Sequence, residues 1–149
     1  MRIRNVHVRE LAASADEVGA LVDDPNRMWP HGRWPELRPD GIGFLRHEPL
    51  EYECGKVRSF RITGPRGFAG WHGWDVTANG RTVLRHVVEV ECRGWARLLW
   101  PLLVRPIHDA LHEDVLDRAE TAVGGAPVKR EWSRRVRFLR WHIARLRER

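Results

Sequence analysis

The stretch from Phe44 to Cys92 constrains the fold most. Four short runs rich in β-branched and aromatic residues, Phe44–Tyr52, Val57–Thr63, Phe68–Thr77 and Thr82–Cys92, follow one another there. The turn sequences Glu53-Cys54-Gly55-Lys56, Gly64-Pro65-Arg66-Gly67 and Ala78-Asn79-Gly80-Arg81 separate them. Gly, Pro and Asn supply the backbone conformations that tight reversals need, so strands at this spacing pair as consecutive antiparallel hairpins. After Gly94 the period changes. Leu99, Leu103, Ile107, Ala110, Leu111 and Val115 recur at spacings of three and four, the pattern of one helix over Trp95–Val123. Pro101 and Pro106 each remove an amide donor and bend or break that helix, and Gly124-Gly125 end it. A sheet with one apolar face must be covered, and a single long helix laid across it does so.

Ahead of the meander, residues 3–11 alternate as a first strand. Ser14-Ala15-Asp16-Glu17 is a capping box opening a helix whose apolar face is Val18, Leu21 and Val22, and Asp23-Asp24-Pro25 stops it. Residues 25–43, rich in Pro, Gly and Trp, predict one further helical turn and then loop. The chain is therefore of the α+β class. Its 149 residues, 42% hydrophobic and 31% charged, suffice for one core and hardly two. The expected division is a body, residues 1–125, and a C-terminal helix, residues 126–149. No apolar run approaches the ~18 residues of a membrane span, and Met1-Arg2-Ile3-Arg4 leads no apolar signal segment, which predicts a cytoplasmic protein. Cys54 and Cys92 have no metal-type spacing and read as reduced thiols.

The net charge of +6 is uneven: residues 126–149 hold nine Lys and Arg against Glu131 and Glu148, a net of +7, which leaves −1 for residues 1–125. A near-neutral body has no face demanding a polyanion, so nucleic acid is not an expected partner. Arg greatly exceeds Lys, a composition of GC-rich bacteria.

The segments Gly64 to His72, Thr82 to His86, Trp100 to Leu111 and Glu113 to Glu120 resemble those of bacterial proteins of the START/polyketide-cyclase-like (SRPBCC) superfamily, over residues 3–123. The resemblance implies a helix-grip fold, a curved antiparallel sheet wrapped around a long C-terminal helix, to which this chain adds a basic amphipathic helix. It also implies a cavity for a small hydrophobic ligand. The superfamily includes lipid carriers, hormone receptors and aromatic cyclases, so fold alone does not name the chemistry. The region around 35–45 is shortened against that pattern, which predicts an abbreviated edge strand and a cavity open on that side.

Leu84, His86, Val88, Val90 and Cys92 share one face of their strand, so His86 points inward. A strict two-residue turn at Asn79-Gly80 would set Gly73 opposite His86. One more loop residue sets Trp74 opposite His86 and His72 opposite Val88, and this register is expected because it keeps one continuous apolar face. The residues expected to bind ligand are His72, Trp74, His86 and Val88 on this hairpin, Tyr52 and Phe60 on earlier strands, and Ile107, His108 and Leu111 on the helix. His72 and His86 could orient or deprotonate an enolisable ligand, with Tyr52 or Asp114 as orienters. Satisfied core imidazoles beside packing aromatics are the plainer reading.

His108 and His112 stand four apart, a spacing able to hold a metal, but zinc needs a third protein ligand. Asp109 and Glu113 lie about 100° round the helix, so no metal is expected. His108 falls at the edge of the apolar arc and His112 is expected to be exposed. Asp114 lies within that arc with Arg118 four residues on, which favours an Asp114–Arg118 ion pair over the alternative of a general base. There is no phosphate loop, dinucleotide fingerprint or nucleophile with a base beside it, so no cofactor is expected.

In the tail, Trp132, Val136, Leu139, Ile143 and Leu146 form a narrow apolar seam and arginines cover most of the rest. The seam is expected to dock on its own domain or on a twin in a homodimer; the alternative is an anionic membrane surface or an acidic partner. Three functions follow. The first is binding of a lipid-like, polycyclic or polyketide-like molecule with no assigned chemistry. The second is a polyketide cyclase or dehydratase using histidine acid/base groups. The third is a membrane-peripheral or dimerising role through residues 126–149.

Overall fold

The computed structural model describes residues 1–147. One antiparallel sheet holds seven strands: β1 (Arg2–Leu11), β2 (Leu37–Arg38), β3 (Gly41–Ile42), β4 (Leu45–Glu53), β5 (Val57–Gly64), β6 (Phe68–Ala78) and β7 (Thr82–Cys92). Their order is β1-β7-β6-β5-β4-β3-β2. Strands β4 to β7 are the expected meander, each paired with the next because the connecting turns are short. Asn79, Gly80 and Arg81 form a three-residue loop in which Gly80 takes a φ of 78°. The extra residue sets Trp74 opposite His86 and His72 opposite Val88, the register expected. Strand β1 pairs with β7 across the sheet, which puts His7 opposite His86. At the other edge β2 and β3 have only two residues each, the abbreviation anticipated around 35–45.

Helix α1 (Ala15–Asp23) opens on the capping box: the Ser14 hydroxyl accepts from the Glu17 amide at 3.2 Å, and the Glu17 carboxylate accepts from the Ser14 amide at 2.9 Å. Its face of Val18, Leu21 and Val22 is buried, and the Gly55 carbonyl lies so close to Gly19 that no side chain would fit there. Pro25–Arg27 forms the further helical turn. The covering helix comes in three pieces, α2 (Ala96–Leu99), a π-helical turn at Trp100–Val104, and α3 (Arg105–Ala122). Proline is the cause. Pro101 and Pro106 have no N–H, and the Arg105 amide reaches back five residues to the Trp100 carbonyl.

The carbonyls of Pro101 and Leu102 accept instead from the Arg135 guanidinium, at 3.2 and 2.8 Å. Arg135 belongs to α4 (Arg134–Arg147), so the basic helix caps a break in the covering helix. Val136 is buried in the contact, and the Arg140 guanidinium lies over the rings of Trp34 and Trp132 at 4.3 and 4.0 Å. The tail thus docks on its own body. The Leu146 side chain lies outside the described residues, and Phe138 and Trp141 are exposed.

Charge ties α3 to β1. Arg9 donates to Glu120 at 2.6 Å, Asp117 at 2.9 Å and Glu113 at 3.3 Å, a stripe of carboxylates along one helix face. Burial by itself lowers the Arg9 pKa, and Glu120 and Asp117 together outweigh it and raise it. Two apolar clusters fill the interior, one around Leu21, Leu84, Val115 and Leu116 and one around Ile62, Phe68, Val88 and Trp100. Each fully buried side chain such as Leu116 contributes about 1.5–3 kcal/mol. Cys54 is exposed, Cys92 is buried, and both are free. No described helix is long and apolar enough to cross a membrane.

Candidate functional site

Between the sheet and the covering helix lies a largely apolar cavity of about 720 Å³. The sheet contributes Ile62, Phe68, His72, Val88 and Val90, and the covering helix Trp100, Val104, Ile107, His108, Leu111 and His112. Phe44 and Leu45, beside the short edge strands, continue the lining, and the loop around Trp34 and the α4 residues Arg140 and Ile143 add to it.

Imidazoles form one wall. Six of the eight histidines, His7, His47, His72, His86, His108 and His112, make a continuous cluster. Its centre is the stack of His86 on His112, with centroids 3.6 Å apart and planes 18° apart. His108 lies 4.2 Å from His112 and 5.3 Å from His86. His47 Nδ1 and His72 Nε2 share a hydrogen bond of 2.8 Å, so one of the two rings is the donor. Around His86 the polar accounting does not close: neither ring nitrogen has a hydrogen-bond partner, and His108 Nδ1 and His112 Nδ1 also lack one.

Burial favours the neutral form of His72, His86, His108 and His112. It pushes the His72 pKa down to about 3, with help from His47 and His108, and moves His86 and His112 well below the usual histidine value. His108 is lowered by burial against the opposing pull of Asp109. Burial raises the Asp109 carboxyl, yet the nearby rings of His108 and His7 and the hydrogen bond from Asn5 outweigh it and hold the group well below the usual carboxylate range. Asp109 accepts from Asn5 at 2.6 Å and lies 3.2 Å from His7 Nε2 and 3.8 Å from His108 Nδ1.

A protein of Thermobifida fusca solved in solution shares 17% identity with this chain at a TM-score of 0.58, over 85% of this chain and 99% of that one. CalU16 of Micromonospora echinospora matches at 17% identity and a TM-score of 0.57, over 96% of this chain and 84% of its own. A START superfamily protein of Mycobacterium smegmatis matches at 15% identity and 0.51, over 80% and 96%. The chain has the helix-grip fold. No family model and no curated protein matches the sequence.

Within the helix-grip cavity the structure places the anticipated residues unevenly. His72, Val88, Ile107, His108 and Leu111 line it. His86 and Trp74 are buried beside it, their rings 4.7 Å apart and behind the lining. Phe60 does not line it but stacks on His47 at 4.3 Å. Tyr52 is 60% exposed and donates to Asp23 at 3.1 Å, away from the cavity, because β4 has passed beyond the covered face by then.

Two expectations on α3 are corrected. His112 is buried, 4% exposed, because β1 and β7 together present His7 and His86 to its side of the helix. Asp114 is not paired with Arg118. Its Oδ2 accepts from the indole N–H of Trp34 at 2.6 Å and of Trp132 at 3.0 Å, and Arg33 approaches to 3.6 Å. Trp34 comes from a loop without a period, and Trp132 was legible only as the first residue of the apolar seam, so no spacing pointed from either indole to Asp114.

Sequence reasoning also passed over His7 and His47. The inward parity of β1, Ile3, Asn5, His7, Arg9 and Leu11, was a signal, since its polar members match the acidic stripe Asp109, Glu113, Asp117 and Glu120 on α3. His47 carried no comparable signal in a strand broken by bulges.

Proposed function

We propose that this helix-grip protein holds one small, mainly hydrophobic molecule in the cavity between the sheet and α3. The observation that carries this reading is the cavity itself: about 720 Å³, lined chiefly by apolar side chains, with a few imidazoles on one wall. That volume falls in the range of about 300–1,000 Å³ typical of small-molecule sites, and the mixture of apolar lining with few polar groups fits a lipid-like or polycyclic ligand. The resemblance to START and polyketide-cyclase-like proteins supports the same class of ligand.

The acid/base reading is weaker on the present geometry. His86 does not line the cavity, and His72 is held near a pKa of about 3, too weak a base to take a proton at neutral pH with useful efficiency. Tyr52 is out of reach and Asp114 is occupied by two indoles. What remains to a ligand is orientation by neutral ring nitrogens of His72, His108 and His112.

Titration with an environment-sensitive apolar fluorophore tests the binding reading. Saturable binding at one equivalent is expected, at least tenfold weaker in Ile107→Trp, whose larger ring would fill the cavity from α3 while the unfolding temperature stays close to that of the parent. Absence of saturable binding by the folded parent protein, or equal affinity in Ile107→Trp, would overturn it.

A further inference from the structure

The imidazoles of His86 and His112, both buried, and of His108, partly buried, have no ordinary structural explanation. Three ring nitrogens, one from each, lie within 4.8 Å of one another. Both nitrogens of His86 and Nδ1 of His108 and His112 lack partners, and an unpaired buried polar atom forfeits the hydrogen bonds it would make in water. A cluster that leaves four such atoms unsatisfied loses much stability unless something else satisfies them. Water would do so partially. A metal ion would take one nitrogen from each ring.

We propose that His86, His108 and His112 form a binding site for one divalent transition-metal ion, with zinc the best match. Three neutral imidazoles are the donor set that suits zinc, and also copper, iron or nickel, and three protein ligands leave a fourth position for water or substrate. His108 and His112 line the cavity, so that position faces it and would take a water or the polar end of a bound molecule. Burial keeps all three rings in the neutral form that metals bind. Tetrahedral zinc with Zn–N bonds of about 2.0–2.1 Å sets its ligands about 3.3 Å apart, so the nitrogens draw in by up to about 1.5 Å, and the His86 and His112 rings, stacked 3.6 Å apart, turn out of their stack to aim both lone pairs at one ion.

A carboxylate stands ready to support one ligand: Asp109 Oδ1, which accepts from Asn5 at 2.6 Å, lies 3.8 Å from the unpaired His108 Nδ1, and a small turn of that ring would make the carboxylate–histidine pair that leaves Nε2 for the metal. A second grouping, His7, His108 and Asp109, shares His108 and is the competing assignment. It is less suitable, because Asp109 is already engaged by Asn5 while no atom satisfies His86.

The experiment uses the full chain, free of any affinity tag and treated with chelator, and titrates it with Co²⁺ as a spectroscopic stand-in for zinc. The expected result is visible absorption of tetrahedral intensity saturating at one equivalent, displaced by Zn²⁺, with a rise in unfolding temperature. His112→Phe and His108→Phe, which keep a ring for packing, should each weaken Co²⁺ binding by more than about 100-fold, beyond the 10- to 100-fold that outer partners cost. Asp109→Asn should fall within that smaller range. Circular dichroism establishes that each variant is folded, and should His112→Phe fail to fold, His112→Asn replaces it.

No absorption from the folded parent protein overturns the proposal. So does binding that survives His108→Phe and His112→Phe, which would put the ion elsewhere. Loss in His108→Phe and Asp109→Asn with full retention in His112→Phe would assign the ion to the His7 grouping and equally overturn it. None of these outcomes depends on whether the cavity binds an apolar molecule.

Discussion

One oxygen, Asp114 Oδ2, takes hydrogen bonds from two indoles and faces Arg33, and it does so while almost wholly buried. The indole bonds matter more than the ion pair, because Arg33 is half exposed and an exposed pair is worth about 0–1 kcal/mol, whereas each stranded indole N–H costs about 1–3 kcal/mol. Asp114→Ala is therefore expected to lower the free energy of unfolding by about 2–4 kcal/mol, and Asp114→Asn, which retains an acceptor, by less than half as much. Urea unfolding of the two variants checks this; equal losses would mean that charge, not acceptance, is what the site needs. The spacing of Asp114 and Arg118 suggested a different partner. Helical spacing names only neighbours on the same helix, and the indoles arrive from Trp34 and Trp132, 80 residues back and 18 residues on.

At the scale of elements, α4 is an integral cover. Its Arg135 satisfies carbonyls freed where Pro101 and Pro106 break the covering helix, Val136 is buried, and Arg140 and Ile143 reach the cavity. The seam of Trp132, Val136, Leu139 and Ile143 was legible as an apolar stripe, but a stripe does not say what covers it. Val136→Asp should undock the helix. Burial of one valine is worth about 1.5–3 kcal/mol, so the undocked population rises by at least about tenfold, and cleavage by trypsin at the arginines of 134–147 should accelerate accordingly. An unchanged cleavage rate would show that α4 is held by its arginines alone. The meander, by contrast, could be read strand by strand, because turn chemistry and alternation are local. The three-residue loop at Asn79, Gly80 and Arg81 fixed the pairing of every residue from Phe68 to Cys92.

For the whole molecule, the histidine cluster makes acid the sensitive variable. The pKa values of His72, His86, His108 and His112 are lowered on folding from 6.5, that of His72 to about 3. Below pH 6.5 the unfolded chain takes up protons that the folded chain refuses, so stability is full above that value and falls as pH drops through it, over a window reaching to about pH 3. Each such group removes up to about 1.4 kcal/mol per pH unit. Urea midpoints of chelator-treated protein should therefore decline steadily from about pH 7 to about pH 5; a flat profile would contradict a buried neutral cluster. The sequence by itself determined the class of fold, the meander and its register, the capped first helix, the broken covering helix and the concentration of positive charge in the last helix, because periodicity, turn residues and prolines act over a few residues. Only the tertiary structure decided that the tail closes on its own body, that Tyr52 points away, and that six histidines converge. His108 and His112 were visible as a pair four residues apart. The third ring, His86, comes from a strand laid beneath the helix, a contact between residues 22 positions apart that no local pattern encodes.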